Sequence, residues 1–266
     1  MAELHTDPSQ SAGSSSLMSE LWRETKSAAA FLTRIPLRGA APPLPLSEAP
    51  RGFPLVGIVV GAAGAVAYAI AAEFSLPPAV AALLAIGALI LITGGLHEDG
   101  LADTADGFGA GRDRDATLAI MRDSRIGSYG VLALVIVVGL RVLCIAELHG
   151  TFTVVLALIA AAAGSRAILP AVLFYMPPAR VDGLGHAAGR PAKRLTIDAV
   201  AIGGALVLIG LGPFGGLLGI SVAVFAALMI GRLALRRIGG QTGDVLGAIQ
   251  QAAETAILLA AVATQP

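Results

Sequence analysis

Apolar residues in this chain come in long runs, not in the short alternation of a half-buried strand. Runs of spanning length occupy 54–72, 77–96, 128–146, 151–176, 195–212, 217–235 and 245–263. A helix crosses the hydrocarbon core with roughly 17–25 mainly apolar residues. The pattern therefore predicts an all-α polytopic membrane bundle of about seven transmembrane helices, or six if the last run does not cross. A Pro/Gly turn at 212–216 divides the fifth run from the sixth. Pro170 should kink the fourth. Residues 1–20 are polar and serine-rich, without the basic and apolar regions of a secretory signal. They read as a disordered tail, which leaves 21–266 as a single integral membrane domain. Residues 18–34 fit an amphipathic helix on the bilayer surface or a plain linker helix.

Basic residues then set the orientation. They flank alternate runs: Arg23, Lys26, Arg34, Arg38 and Arg51, then Arg112, Arg114, Arg122 and Arg125, then Arg180, Arg190, Lys193 and Arg194, then Arg236 and Arg237. The intervening loops, 73–76, 147–150 and 213–216, contain neither lysine nor arginine. This is the positive-inside pattern. It predicts a cytoplasmic N-terminus and cytoplasmic loops at 97–127, 177–194 and 236–244, in a bacterium at the inner membrane. Arg232 and Arg141 lie inside runs and are expected to snorkel. Arg166 lies deeper and should face a cavity or a partner, with a bound phosphate as one candidate.

Composition sharpens this picture. The chain is 56% hydrophobic and 14% charged, against about 25% charged in an ordinary soluble domain. Eighteen basic residues balance eighteen acidic ones, so no basic surface invites nucleic acid. The single cysteine, Cys144, precludes an intramolecular disulfide and reads as packing. Alanine and 33 glycines suit helices that approach closely.

The candidate chemistry begins where the second run ends, in GGLHEDGLADTADGFGAG at 94–111. If the helix continues past His97, Asp99, Asp103 and Asp106 stand at i, i+4 and i+7, within about 60° and about 10 Å of one another. Like charges so stacked repel, and a helix C-terminus disfavours them further. A solvated acidic helix end is the plain alternative. A hard divalent cation accounts for the arrangement better, because Mg²⁺ combines one or two carboxylates with waters and substrate phosphates. His97 is the only soft ligand nearby, which argues against zinc. Glu98 points about 100° away and reads as a bystander. Gly100 and Gly107 weaken the helix and allow a ligand close approach.

Downstream, Leu118, Ile120 and Met121 suggest a short interfacial helix, followed by Arg122, Asp123, Ser124 and Arg125. Arginine forks match phosphate oxygens. Alternatively, Asp123 or Ser124 caps the next helix and the arginines only set topology. In the last run Asp244, Gly247, Gln251 and Glu254 share one side of a helix, with Glu254 about 15 Å along it from Asp244. An acid at that depth marks function by default.

Five segments, FLTRIP at 31–36, FPLVG at 53–57, GGLHEDGLADTADG at 94–107, IMRDSRIGSYG at 120–130 and GGQTGDVLGA at 239–248, carry a resemblance over nearly all the chain beyond its tail. The chain resembles the cobalamin synthase, or adenosylcobinamide-GDP ribazoletransferase, family. That resemblance implies a Mg²⁺-dependent transfer joining adenosylcobinamide-GDP to α-ribazole or its 5′-phosphate, with release of GMP. It implies a metal held by Asp99, Asp103 and Asp106, and Asp244 as a further ligand or as completing the site. His97 or an aspartate would take the hydroxyl proton. Arg122, Arg125 and Arg166 would neutralise phosphates, and Ser124, Thr242 and Glu254 would line the substrate site. Partners would be these small molecules, the lipid bilayer, and a second copy or other membrane proteins of the cobalamin pathway. In the family, position 98 is often apolar, whereas here it is Glu98. Two other functions were weighed. A CDP-alcohol phosphatidyltransferase would show DGxxAR and then GxxxDxxxD, a spacing that DGLADTADGFGAGRDRD lacks. An ion-coupled transporter places charge at the midplane on broken helices, and only Glu254 could lie deep.

Overall fold

A computed structural model describes residues 8–37 and 43–265, and these are helical apart from connecting segments and one isolated bridge between Pro178 and Gln241. Arg38 and residues 1–7 lie outside the described residues. Helix α1 (Pro8–Leu32) takes in residues 8–20 of the predicted tail. Its inner face carries Glu24, Ser27, Ala28 and Leu32, all buried. Glu24 accepts hydrogen bonds from the Arg51 backbone N–H (3.2 Å) and Nε (2.9 Å), which fastens α1 to the start of α2 (Gly52–Glu73). Leu17, Met18 and Trp22 are exposed on α1, so the helix carries apolar side chains on its outer face.

Small residues set how closely the helices approach. A Cβ on Gly61 of α2 would lie 2.6 Å from the Ile159 Cα of α7 (Thr151–Tyr175). One turn earlier, Gly57 sits against Ala162 and Ala163 in the same way. Lipid tails are as apolar as leucine, so contacts of this kind, more than burial, draw membrane helices together. Helix α7 runs through Pro170 as one helix.

After α3 (Pro78–Thr93) the structure departs from the sequence expectation. The chain does not continue as one helix past His97. Gly94 and Gly95 take φ of 69° and 71°, a left-handed conformation open to glycine without steric cost. Their N–H groups satisfy Leu91 O (3.3 Å) and Ile90 O (2.9 Å). The next helix, α4 (Leu96–Ala110), therefore leaves at 92° to α3. The short α5 (Arg114–Ile120) begins with Asp113, whose Oδ1 accepts from Ala116 N at 2.8 Å. Helix α6 (Ser128–Glu147) follows, and after α7 come the four-residue α8 (Leu184–Ala187) and the long α9 (Lys193–Ile238).

Helix α9 contains 46 residues but breaks at Gly212, with φ 72° and ψ 173°, immediately before Pro213. Beyond the break Gly216 packs on Leu208, and Gly204 faces Ile220, so the two arms fold back on each other. Helix α10 (Gly243–Thr264) is the most enclosed of the long helices. Among the described residues five helices, α2, α6, α7, α9 and α10, are long and apolar enough to cross a membrane, or six if the bent pair α3 and α4 counts as one span. Exposed Val135, Ile136 and Leu143 on α6, and Phe225, Leu228 and Met229 on α9, give the bundle an apolar outer surface, as lipid requires.

Candidate active site

Helix α4 crosses the start of α10 where two glycines meet. A Cβ on Gly100 would lie 2.9 Å from the Asp244 carbonyl oxygen, and one on Gly247 would lie 3.1 Å from the Gly100 Cα. Gly100 thus admits a helix backbone, not a ligand as its sequence context suggested. This contact brings Asp99 and Asp103 of α4 to Asp244 of α10. The Asp103 carboxylate lies in the field of Asp99, Asp244 and Asp106, with Arg180 the one cation acting on it. Thr242 caps α10: its hydroxyl accepts from Val245 N (3.2 Å) and donates to Asp244 Oδ2 (3.1 Å). It is buried, and both its hydrogen bonds go to the start of α10, one of them to Asp244.

Asp106 is turned to another purpose than the one its spacing suggested. It is buried, and its two oxygens accept the backbone N–H groups of Gly127 (2.7 Å) and Gly130 (2.9 Å). Helix α6 has no side-chain cap of its own, and Asp106 supplies both the acceptors and the negative charge that a helix N-terminus favours. Neither Asp123 nor Ser124 caps α6. Asp106→Ala should lower stability by about 1–2 kcal/mol, read as a drop in melting temperature of the purified protein. A purely ligand role would leave that temperature unchanged. Among the described residues, no group of three or more His, Cys, Asp or Glu is close enough to hold a metal ion together.

His97 lies on the other side of α4. It is buried, its Nε2 has no hydrogen-bond partner, and it lines a cavity of about 30 Å³ walled by Phe31, Leu32, Phe53 and Leu169. Asp99 is two residues on and so about 200° around the helix. The imidazole and Asp99 therefore leave α4 on different sides, and the His97 cavity is also lined by Gly243 and Gly247 at the start of α10.

Of the arginines expected at phosphates, Arg166 is removed from any. It is 2% exposed and donates to Ala162 O (3.0 Å) and Glu254 Oε2 (3.3 Å). Arg125 forks onto Asp123 on the surface, with Nη2 2.7 Å from Oδ2, and this hydrogen bonding holds the Asp123 carboxyl at about 2. Ser124 is exposed between them. Arg122 points across to Asp182, 2.7 and 2.8 Å from its two oxygens.

A buried polar cluster sits behind the acidic crossing. Arg141 does not snorkel. It is 1% exposed and binds Glu98 (3.3 Å), Gln251 (2.8 Å) and Glu254. Glu254 also receives Gln250, Ser165 (3.4 Å) and Arg166, so its carboxylate is enclosed by interior partners. Glu98 proves to be no bystander. It accepts from Arg141 and from Gln251 Nε2 (3.0 Å), tying α4 to α6 and α10. Two buried arginines face two glutamates, so the cluster is neutral in net charge, as an apolar surrounding demands. A signal for it was present: an arginine and a glutamate deep in two different apolar runs can neutralise one another.

A model of the family described as cobalamin-5-phosphate synthase matches residues 24–262. A protein of Bradyrhizobium diazoefficiens named adenosylcobinamide-GDP ribazoletransferase is 48% identical over 90% of this chain and 92% of its own length. Proteins of the same name from Azorhizobium caulinodans (44% identical, covering 91% and 96%) and Sinorhizobium medicae (41%, covering 90% and 95%) match as widely. No solved structure matches.

Proposed function

The chain belongs to the cobalamin-5-phosphate synthase family, and we propose that it is an adenosylcobinamide-GDP ribazoletransferase. The acceptor is α-ribazole or its 5′-phosphate. Its hydroxyl oxygen forms a new P–O bond at the phosphorus nearer the corrinoid. The P–O bond to the GMP half breaks, GMP leaves, and the hydroxyl proton passes to a base. The observation that carries this reading is the match over residues 24–262, which includes every residue of the acidic crossing. The relatives named above carry the ribazoletransferase name and not that of a lipid transferase or a transporter.

Mg²⁺ suits the donor set. Asp99, Asp103 and Asp244 gather negative charge, with Arg180 set against Asp103 and 3.6 Å from Asp244, and their oxygens are hard. Two carboxylates without a closed shell match a cation that keeps waters and binds substrate phosphates. Asp99 and Asp103 would hold it, with Asp244 completing the site. Bound there, it would supply positive charge for the diphosphate and for the leaving GMP. The protein groups then position the two substrates and limit water.

Counting the two arms of α9 separately and the bent pair α3 and α4 as one span, with α2, α6, α7 and α10, would make seven crossings. The positive-inside pattern puts the acidic crossing on the cytoplasmic side of a bacterial inner membrane. Purified protein, Mg²⁺, adenosylcobinamide-GDP and α-ribazole should release GMP only when both organic substrates are present. GMP release without the acceptor, or none with it, would refute the transferase reading.

A further inference from the structure

Beside the acidic crossing opens a cleft of about 540 Å³, lined among others by Arg114, Leu118, Arg122, Arg180 and Asp182. The three arginines have different duties. Arg114 is spent on the fold, since its Nε donates to Ile238 O at 3.1 Å and its Nη2 to Ala179 O. Arg122 and Arg180 both turn to one carboxylate, Asp182. Arg122 Nη2 lies 2.7 and 2.8 Å from the two Asp182 oxygens, and Arg180 Nε lies 3.8 Å from Oδ1. Arg180 also reaches Asp244 Oδ2 at 3.6 Å, and its Nη1 is buried without a partner. One guanidinium thus stands between the acidic crossing and the cleft.

We infer that this cleft binds the diphosphate of the nucleotide-activated substrate between Arg122 and Arg180, and that Asp182 holds these arginines until the diphosphate replaces it. The inference rests on the transferase reading above and extends it to a phosphate subsite. A carboxylate set against arginine donors imitates a phosphate. The Arg122–Asp182 pair is open to water, with side chains 52% and 62% exposed, and such a pair adds little to folding and is readily exchanged. The backbone beneath it is firm: Ala179 N donates to Gln241 O, and Gln241 N to Pro177 O, both at 2.8 Å. Gly183 follows with φ 86°, so the Asp182 segment can turn away without disturbing that bridge. Arg122 and Arg180 are then the two cations that a diphosphate would meet next to Asp244 and Asp103. Arg166 is held inside the bundle by Glu254, and Arg125 does not line the cleft.

The test is equilibrium binding of inorganic pyrophosphate and of GMP to the full-length protein in detergent. Asp182→Ala should tighten both about three- to tenfold, because it removes an internal competitor, and Asp182→Asn should fall between it and the parent. Arg122→Ala should weaken both about tenfold. Added to Arg122→Ala, the Asp182→Ala change should give less tightening than it does alone. A merely structural Asp182 would not yield a gain in affinity when removed. Unchanged or weaker binding in both Asp182 variants would overturn the proposal. The assay needs no turnover, so its failure is distinct from failure of the transferase reading. Tightening without GMP release from the two organic substrates would leave the cleft standing and the reaction refuted. Normal turnover without tightening would do the reverse.

Discussion

Asp103→Asn is expected to abolish most turnover, by roughly 10²–10³-fold or more, while leaving the protein folded and inserted. The substitution keeps the shape of the side chain and removes one charge. That charge stands among Asp99, Asp244 and Asp106, with one arginine in opposition. Without a cation the folded state bears the mutual repulsion of these groups, and removing one of them relieves it. Melting temperature should therefore stay level or rise while activity collapses. Damage to the fold would move both readouts down together. Assaying GMP release across a Mg²⁺ titration, with a melting curve on the same preparation, separates the cases. Near-normal activity of the variant at limiting Mg²⁺ would remove Asp103 from the metal site.

The opposite outcome is expected for Glu254→Ala, whose effect falls on the fold. Glu254 is 2% exposed and takes contacts from Arg141, Arg166, Gln250 and Ser165. Its loss strands two arginines in an apolar bundle. Removing one partner of a buried ion pair costs about 3–5 kcal/mol, a large part of the stability of an ordinary domain. The variant should elute from size exclusion as aggregate or melt far below the parent. Glu254→Gln combined with Arg166→Met leaves Arg141 balanced by Glu98, so it should recover part of the loss. If Glu254→Ala proves as stable as the parent and lacks only activity, the cluster is not structural and Glu254 belongs to the substrate site after all.

The two predictions divide along a line that runs through α4 itself. Asp99 and Asp103 gather at Asp244, whereas Glu98 joins the buried cluster with Arg141 and Gln251, and His97 enters an apolar cavity. The sequence showed the spacing of the aspartates, since a helix repeats every 3.6 residues whatever surrounds it. It did not show what those faces meet. Asp106 has the right spacing for a ligand, yet it lies beside the uncapped start of α6. Arg141 has the right position to snorkel, yet a glutamate from another helix lies within its reach. Each of these outcomes depends on residues more than twenty positions away, which no local pattern encodes.

From the sequence alone came the long apolar runs, their alternating basic flanks, the break at 212–216, the carboxylates of α4 and the family resemblance. These are properties of composition and short-range periodicity, and the energetics of transferring apolar residues out of water act on each run separately. Only the tertiary structure decided that Gly94 and Gly95 bend the chain by 92°, that Gly100 meets Gly247, and that Glu98, Arg141 and Glu254 neutralise one another. It also turned Arg122 and Arg180 toward one cleft. The reason is that charges and glycines act at the points where helices cross, and a crossing exists only once the whole bundle has packed.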